Sequence, residues 1–345
     1  MRLRLRSGVI IENAEVQLVF DPGNERNSVG TPTRRAFLSH AHGDHVKGIR
    51  HEGCGMTRST KSLAEIYVGI ISSFFPVSYG TPVRISEHVS VTPYDAGHVL
   101  GSTQFLIDTE EESIGITGDL NTCAMAVNGE IEFMEPETLI IESTYGLPEF
   151  IFPPREALYA DIVKWVLRTA RRDRIPCFRV YPVGKAQEVI SLLNNYCSVP
   201  VLVSRRVFQA CEVYRQFGKK LECLSLDSDE GRELASSGGF TYMAGVMTDL
   251  PYSSRKTEWA VATGWALRNS FPEYSASFPL SGHSDFHGLL EYVEASNAKK
   301  IYTIHGFDVQ MSKHLRRRGY EAHPLRKTGD SEHVRLDYWS ASSTD

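Results

Sequence analysis

The sequence predicts an α/β protein in which one domain interrupts another. Three observations carry this. Up to about residue 147 the chain is made of short apolar runs separated by turn residues, the texture of strands. From about residue 150 strand-like and helix-like runs alternate, which argues for a parallel sheet with crossover helices. From about residue 276 the first texture returns, and histidine-bearing turns stand on both sides of the interruption.

The elements follow in order. "MRLRLRSGVIIENAEVQ" alternates basic and apolar residues; it lacks the apolar block of a signal peptide and is expected to be a first strand. "EVQLVFDPG" is a strand ending in a turn at Pro22-Gly23, and "RRAFLSH" is a strand feeding a loop. "TKSLAEIYVGIISSFF" is the best helical candidate of the first part. "VSVTPYDAG", "STQFLID" and "ESIGITGDL" are three further strands, and "ETLIIESTYG" is a buried strand ending at Gly146. In the middle region "REALYADIVKWVLRTARR" has helical spacing. It is followed by "IPCFRVYPVG" as strand, "KAQEVISLLNNY" as helix, "VPVLVS" as strand and "RVFQACEVYRQFG" as helix, with "EWAVATGWAL" as the last strand of this unit. The tail "DYWSASSTD" is expected to fray.

Composition narrows the function classes. The chain has 345 residues, 41% hydrophobic and 23% charged, enough for a large core and more than one domain. It has no apolar run of about 18 residues, so no membrane span is expected. The net charge of -5 disfavours coating nucleic acid through bulk charge. A nuclease stays open, since a few basic residues and bound metals supply positive charge at a cleft. The cysteines at 54, 123, 177, 197, 211 and 223 form no CxxC pair. They are expected to be free thiols in a reducing, cytoplasmic setting, so any metal is held by histidine and carboxylate.

The stretch "AFLSHAHGDHVKGI" holds His40, His42, Asp44 and His45 within six residues. His40 and His42 can point at one ion, and Asp44 and His45 can reach a second. Zinc takes nitrogen and oxygen ligands at about 2.0–2.2 Å, and a catalytic site keeps a position open for water. Four residues cannot complete two sites. Further ligands are expected where strands end: His98 in "DAGHVLGS", Asp119 in "ITGDL" and His305 in "IYTIHG". With two ions about 3.5–4 Å apart, Asp119 can bridge them. His51, His88, His314, His323 and His333 stand in polar surroundings and are expected at the surface, with His287 on a helix face.

These motifs resemble the metallo-β-lactamase superfamily. "SHAHGDH" matches its HxHxDH motif, "AGHVLGS" and "TGDL" its later ligand motifs, and "VFDPG" its first, where Asp21 would support the ligands from behind. "ESTYG" at 142–146 and "SGHSD" at 281–285 resemble the nucleic-acid-cleaving β-CASP branch, which includes RNase J, Artemis and ligase-associated exonucleases. The resemblance covers nearly the whole chain. It implies an αββα sandwich at 1–147 and 266–345, with an inserted β-CASP domain of parallel sheet and flanking helices at 148–265. It implies two zinc ions, with manganese as a substitute. His40, His42 and His98 would hold one, Asp44, His45 and His305 the other, and Asp119 would bridge. Glu142 corresponds to the branch's acidic residue, His283 to its non-ligand histidine.

The implied reaction is phosphodiester hydrolysis in single-stranded nucleic acid. Bulk water has a pKa of about 15.7 and zinc-bound water about 7, so the metals alone generate the nucleophile and no serine or cysteine triad is needed. Asp44 and Asp119 serve catalysis through the metals. His283 is the expected general acid for the leaving oxygen, oriented and kept charged by Glu142; Asp285 reads first as a helix cap. Gly184 and Lys185, at a strand-to-helix turn, are candidates for a phosphate contact. Arg205 and Arg206 are basic candidates for the groove, as is the run Arg316 to Arg318; such runs are more often solvated faces. The histidine at 305 favours RNA. The short chain and "TGWAL" point to the alternative, a DNA exonuclease of the Artemis-like or ligase-associated type. A small-molecule hydrolase such as a thioesterase is a further alternative, but "ESTYG", "SGHSD" and the insert speak against it. The sequence leaves protein partners, polarity and oligomeric state open.

Overall fold

A computed structural model describes residues 1–326 apart from 7, 13–14, 24–32, 47–48, 50–52 and 126. His51, His333 and the tail expected to fray lie outside the described residues. Elements are numbered along the chain.

The first sheet holds β1 (Arg2–Leu5), β2 (Val9–Glu12), β3 (Val16–Phe20), β4 (Thr33–Phe37), β5 (Cys54–Met56) and β6 (Phe74–Pro76), in that spatial order. Its first three strands are antiparallel and the later pairs parallel. The expected first strand is therefore a hairpin. It folds at Gly8, packed so tightly on the chain that a Cβ would lie 2.2 Å from the Phe20 and Asp21 carbonyl oxygens. Helix α1 (Arg58–Val68) is shorter than the sequence suggested. It stops at Gly69, whose φ of 74° leaves the helical region, and the aromatic pair beyond becomes β6.

The second sheet has the order β19-β18-β11-β10-β9-β8-β7. It contains β7 (Val83–Arg84), β8 (Ser90–Asp95), β9 (Thr103–Asp108), β10 (Ser113–Ile116), β11 (Thr138–Glu142), β18 (Lys300–Ile304) and β19 (Glu321–Pro324). Alternation sorts the side chains into layers. Ile140 of β11 enters the core between the two sheets with Phe20, Phe37 and Phe105, while Leu139 and Ile141 face the other way. That outer face is covered by α6 (Phe286–Ser296) and α7 (Asp308–Arg317), through Leu289, Val293, Met311 and Leu315. With α1 against the first sheet, the layers are helix, sheet, sheet, helix.

The third sheet belongs to the middle of the chain. β12 (Ile175–Arg179), β13 (Val201–Val203), β14 (Leu224–Ser225), β15 (Thr241–Ala244), β16 (Thr257–Ala262) and β17 (Ala276–Phe278) take the order β14-β13-β15-β12-β16-β17, all parallel. α2 (Arg155–Arg171), α3 (Lys185–Tyr196), α4 (Arg205–Gln216) and α5 (Asp229–Ser237) make the crossovers. The strand in "EWAVATGWAL" is not the last of this sheet. It ends at Ala262, and "GWAL" winds into a 3-10 turn capped by Thr263. The edge strand β17 carries the sheet past residue 265; it has only three residues and escapes a pattern search.

One continuous core joins the insert to the first sheet: Leu38, Met56 and Leu63 pack with Ile162, Val189, Ile190 and Tyr214. The buried Tyr214 hydroxyl accepts from the Leu100 amide at 3.1 Å and donates to Asn128 at 3.4 Å. The loop after His98 is thereby held from the insert.

Candidate metal centre

The carboxyl ends of β4, β8, β10, β11 and β18 meet at one edge of the sandwich, and each delivers a polar residue there. The turns are shaped by backbone that only certain residues adopt readily. Gly97 (φ 67°) precedes His98, and a Cβ on it would lie 2.5 Å from the Asn121 carbonyl oxygen. Gly118 (φ 54°) precedes Asp119, and His305 itself sits at φ 60°.

Among the described residues, His40, His42, His98 and Asp119 offer ligand atoms that all lie within 4.8 Å of one another. His42 Nδ1 is 3.1 Å from His40 Nε2 and 3.2 Å from His98 Nε2. Asp119 Oδ2 is 3.4 Å from His40 Nε2 and 3.7 Å from His98 Nε2. A tetrahedral shell with bonds of about 2.0–2.1 Å has edges of about 3.3–3.4 Å. The four donors therefore fit one transition-metal ion in spacing as well as in chemistry.

Each ring is aimed by a bond on its other side. His40 Nδ1 contacts Ser39 Oγ at 2.9 Å, His42 Nε2 the Val183 carbonyl at 3.2 Å, and His98 Nδ1 the Gly282 carbonyl at 2.6 Å. His45 Nδ1 contacts Asp21 Oδ2 at 2.9 Å, so Asp21 stands behind the ring. Asp21 is itself held by the Ser39 amide and hydroxyl, at 2.8 and 2.7 Å. Such outer partners fix the tautomer and orientation of ligating imidazoles.

Burial holds His40 and His98 well below the ordinary histidine range and His42 down at about 3, so all three are neutral, the form that binds metal. Burial also lifts Asp119 to about 6, partly offset by the nearby His283 and His45. For His45 burial works downward, but the carboxylates of Asp21, Asp119 and Asp44 together outweigh it and raise the imidazole to about 10.

The second expected set is looser. His45 Nε2 lies 3.9 Å from Asp119 Oδ2 and 3.7 Å from Asp44 Oδ2, with the Asp44 side chain 65% exposed. The His45 and His305 rings are 6.5 Å apart, centre to centre. A second close group consists instead of Asp119, Glu142 and His283. His283 Nδ1 meets Glu142 at 2.9 and 3.2 Å, and its Nε2 lies 3.9 Å from Asp119 Oδ2. Burial disfavours the charged form of both partners. Their attraction prevails, holding His283 above and Glu142 below its usual range. Asp285 caps α6 by accepting from the Gly288 amide, as expected.

Gly184 and Lys185 stand at the mouth of the cluster. The Gly184 turn (φ 92°) follows the Val183 carbonyl that meets His42, and Lys185 Nζ lies 4.6 Å from the Tyr181 ring centre. Burial lowers Lys185 to about 8, with Glu188 opposing. Arg205 and Arg206 are exposed at the start of α4, where Arg206 lies over Tyr67 rather than over the cluster. In the run at 316–318, Arg316 bonds the Ala322 carbonyl.

Two features of the site went unmarked in the sequence. Tyr181 is 41% exposed with its ring 5.8 Å from His42; the aromatic just before "PVGK" was the available signal. Arg155 pairs with the buried Glu188 at 2.6 Å and donates to the Ser281 carbonyl at 3.0 Å, beside the "SGHSD" turn. One arginine among the charged residues that open α2 gave no signal.

Residues 276–325 match the family described as the Zn-dependent metallo-hydrolase RNA specificity domain. That segment contains both His283 and His305. The chain is a relative of the metallo-β-lactamase β-CASP nucleases. A probable DNA ligase from Opitutus terrae is 30% identical over 84% of this chain and 28% of its own length. An RNase J-like protein from Methanocaldococcus jannaschii is 29% identical over 41% of this chain and 35% of its own. Transcription termination factor FttA of the same organism is 27% identical over 52% of this chain and 29% of its own. The chain thus spans about a third of the length of these curated relatives. Its fold resembles a crystal structure of a protein of unknown function from Enterococcus faecalis V583, with a TM-score of 0.63 over 88% of this chain and 92% of that one at 14% identity. No helix among the described residues is long and apolar enough to cross a membrane.

Proposed function

We propose that the protein is a di-zinc nuclease hydrolysing phosphodiester bonds in single-stranded nucleic acid. The observation that carries this reading is the hydrogen-bonded His283–Glu142 pair, with His283 Nε2 3.9 Å from Asp119, beside four converging metal-binding donors. His40, His42 and His98 would hold one ion, Asp44, His45 and His305 the other, and Asp119 would serve both. When bound, the ions supply an activated water and neutralise charge on the phosphate. The chain's own residues do the rest. His283 donates a proton from Nε2 to the leaving oxygen, Glu142 holds the ring in place, and Lys185 attracts the phosphate at the mouth. The chain as a whole carries a net charge of -5, so the attraction for a substrate anion would come from the bound ions and Lys185 rather than from bulk charge.

For the polymer, the RNA specificity description of residues 276–325 and the RNase J-like relative support RNA. A specific observation supports DNA: the DNA ligase likeness extends over 84% of the chain, against 41% and 52% for the other two relatives. The deciding assay uses matched end-labelled single-stranded RNA and DNA, each blocked at one end or the other, with and without chelator, beside a thioester. Chelator-sensitive cleavage of either nucleic acid supports the reading, and the blocked ends report polarity. Hydrolysis of the thioester alone would replace it with a small-molecule hydrolase.

A further inference from the structure

A second cluster of reactive groups lies in the insert, away from the metal centre. Cys211 on α4 is buried, and Cys223, in the segment leading to β14, is partly exposed. Arg215, one helical turn after Cys211, donates to Cys223 Sγ at 3.2 Å and to the Cys223 carbonyl at 3.3 Å. Cys223 opens on a surface cavity of ≈ 640 Å³ that Arg215 and Cys197 also line. Gln187 Nε2 reaches Cys211 Sγ at 3.4 Å from the opposite side.

We propose that Cys211 and Cys223 form a reversible redox modification site that reacts with small hydroperoxides. The cavity admits the oxidant to Cys223, Arg215 stabilises the thiolate there, and Cys211 waits behind it as the resolving thiol. The Cys223 thiolate attacks one peroxide oxygen and breaks the O–O bond, giving a sulfenic acid and an alcohol, or water from hydrogen peroxide. The Cys211 sulfur then attacks the Cys223 sulfur, forming the S–S bond and expelling water. Two thiols and one hydroperoxide become one disulfide, one alcohol and one water. The neighbouring Cys211 thiol and the Arg215 guanidinium hold Cys223 below the usual thiol range against burial, while Cys223 and burial hold Cys211 above it, so Cys223 is the sulfur that attacks first.

The pair backs onto the proposed active site. Gln187 also donates to the Pro182 carbonyl at 3.0 Å and accepts from the Gly184 amide at 2.8 Å, bracing the turn whose Val183 carbonyl meets His42. Closing the disulfide draws Cys211 Sγ toward Cys223 and away from Gln187, so the turn loosens on oxidation.

The test titrates the full chain with hydrogen peroxide and maps unreduced peptides by mass spectrometry, which reads the site without any activity assay. The expected product joins the Cys211 and Cys223 peptides with loss of two hydrogen atoms, and dithiothreitol reverses it. Cys223→Ser should abolish the link and slow peroxide consumption, and Cys211→Ser should leave Cys223 to accumulate as sulfenic or sulfinic acid. A link between Cys197 and Cys223, or unchanged peroxide consumption by Cys223→Ser, overturns the proposal. Hydrogen exchange of the 182–188 amides should accelerate in the oxidised protein; unchanged exchange overturns the coupling to the turn.

Discussion

Replacing His283 with alanine tests the proposed mechanism at its most exposed point. Its Nδ1 is taken by Glu142 at 2.9 Å, so Nε2 is the nitrogen free to donate a proton. Glu142 outweighs burial and raises the pKa of the ring, so the proton is held to higher pH than on an ordinary imidazole. General acid catalysis contributes typically about 10²–10⁴-fold, which is about 2.7–5.5 kcal/mol of barrier at about 1.36 kcal/mol per decade. His283→Ala should therefore cleave an end-labelled oligonucleotide about 10²–10⁴-fold more slowly in single turnover. It should retain its zinc, because the close ligand group His40, His42, His98 and Asp119 does not include it. A second substrate isolates the proton. A p-nitrophenyl phosphodiester has a leaving group that departs without one, so on it the variant should come within about tenfold of wild type. The wild-type rate should fall as pH rises through the elevated pKa of His283, and the variant should lack that limb. Equal defects on both substrates, or a defect that tracks lost zinc, would refute the acid assignment.

Other perturbations give separate readings. Arg155→Met leaves the Glu188 carboxylate buried without its 2.6 Å partner and should lose about 3–5 kcal/mol in urea denaturation. Changing Glu188→Met as well should recover much of that, whereas a purely steric role for Arg155 would leave the double variant as unstable as the single. Gly306→Ala places a Cβ 2.5 Å from the Ser143 carbonyl oxygen at a φ of 51°; it should lower the melting temperature by a strain of about 1–3 kcal/mol and reduce zinc content through the adjoining His305. The metal-free protein carries a proton on His45, whose pKa of about 10 must be overcome before the ring can ligate. Zinc titration calorimetry at pH 8 in two buffers should show about one proton released from this group, and Asp21→Asn should remove most of that release.

What could be seen in the sequence was what local spacing encodes. The cluster at 40–45 and the strand-end residues His98, Asp119 and His305 are each marked by a polar residue after an apolar run, and the fold gathers them at one edge. The alternating middle region announced the parallel sheet for the same reason. Contacts set by tertiary packing were not visible. Glu188 meets Arg155 across 33 positions of chain, and nothing near either residue records the other. β17 went unseen because its three residues are held by register with β16 rather than by their own apolar pattern. Helix α1 looked too long because Gly69 is a weak stop signal when apolar residues continue beyond it. Arg205 and Arg206 show a further limit: a basic pair reads alike whether it lines a cleft or opens an exposed helix.

Glu142 decides between two uses of the same close group. Asp119, Glu142 and His283 are near enough to cradle an ion, and a second ion could be assigned to them instead of to Asp44, His45 and His305. The carboxylate's other partners argue against that. Oε1 accepts from the Leu120 amide at 2.8 Å as well as from His283, and Oε2 accepts from the Thr144 amide at 3.3 Å. Both oxygens are committed to protein donors in a fully buried position, so ligating a metal would strip hydrogen bonds from two amides and the imidazole, at about 1–3 kcal/mol for each buried group left unpaired. Asp44 faces no such loss, since its side chain is 65% exposed and free to turn inward. The tighter trio is therefore better built to hold a proton, and the looser one to close around an ion.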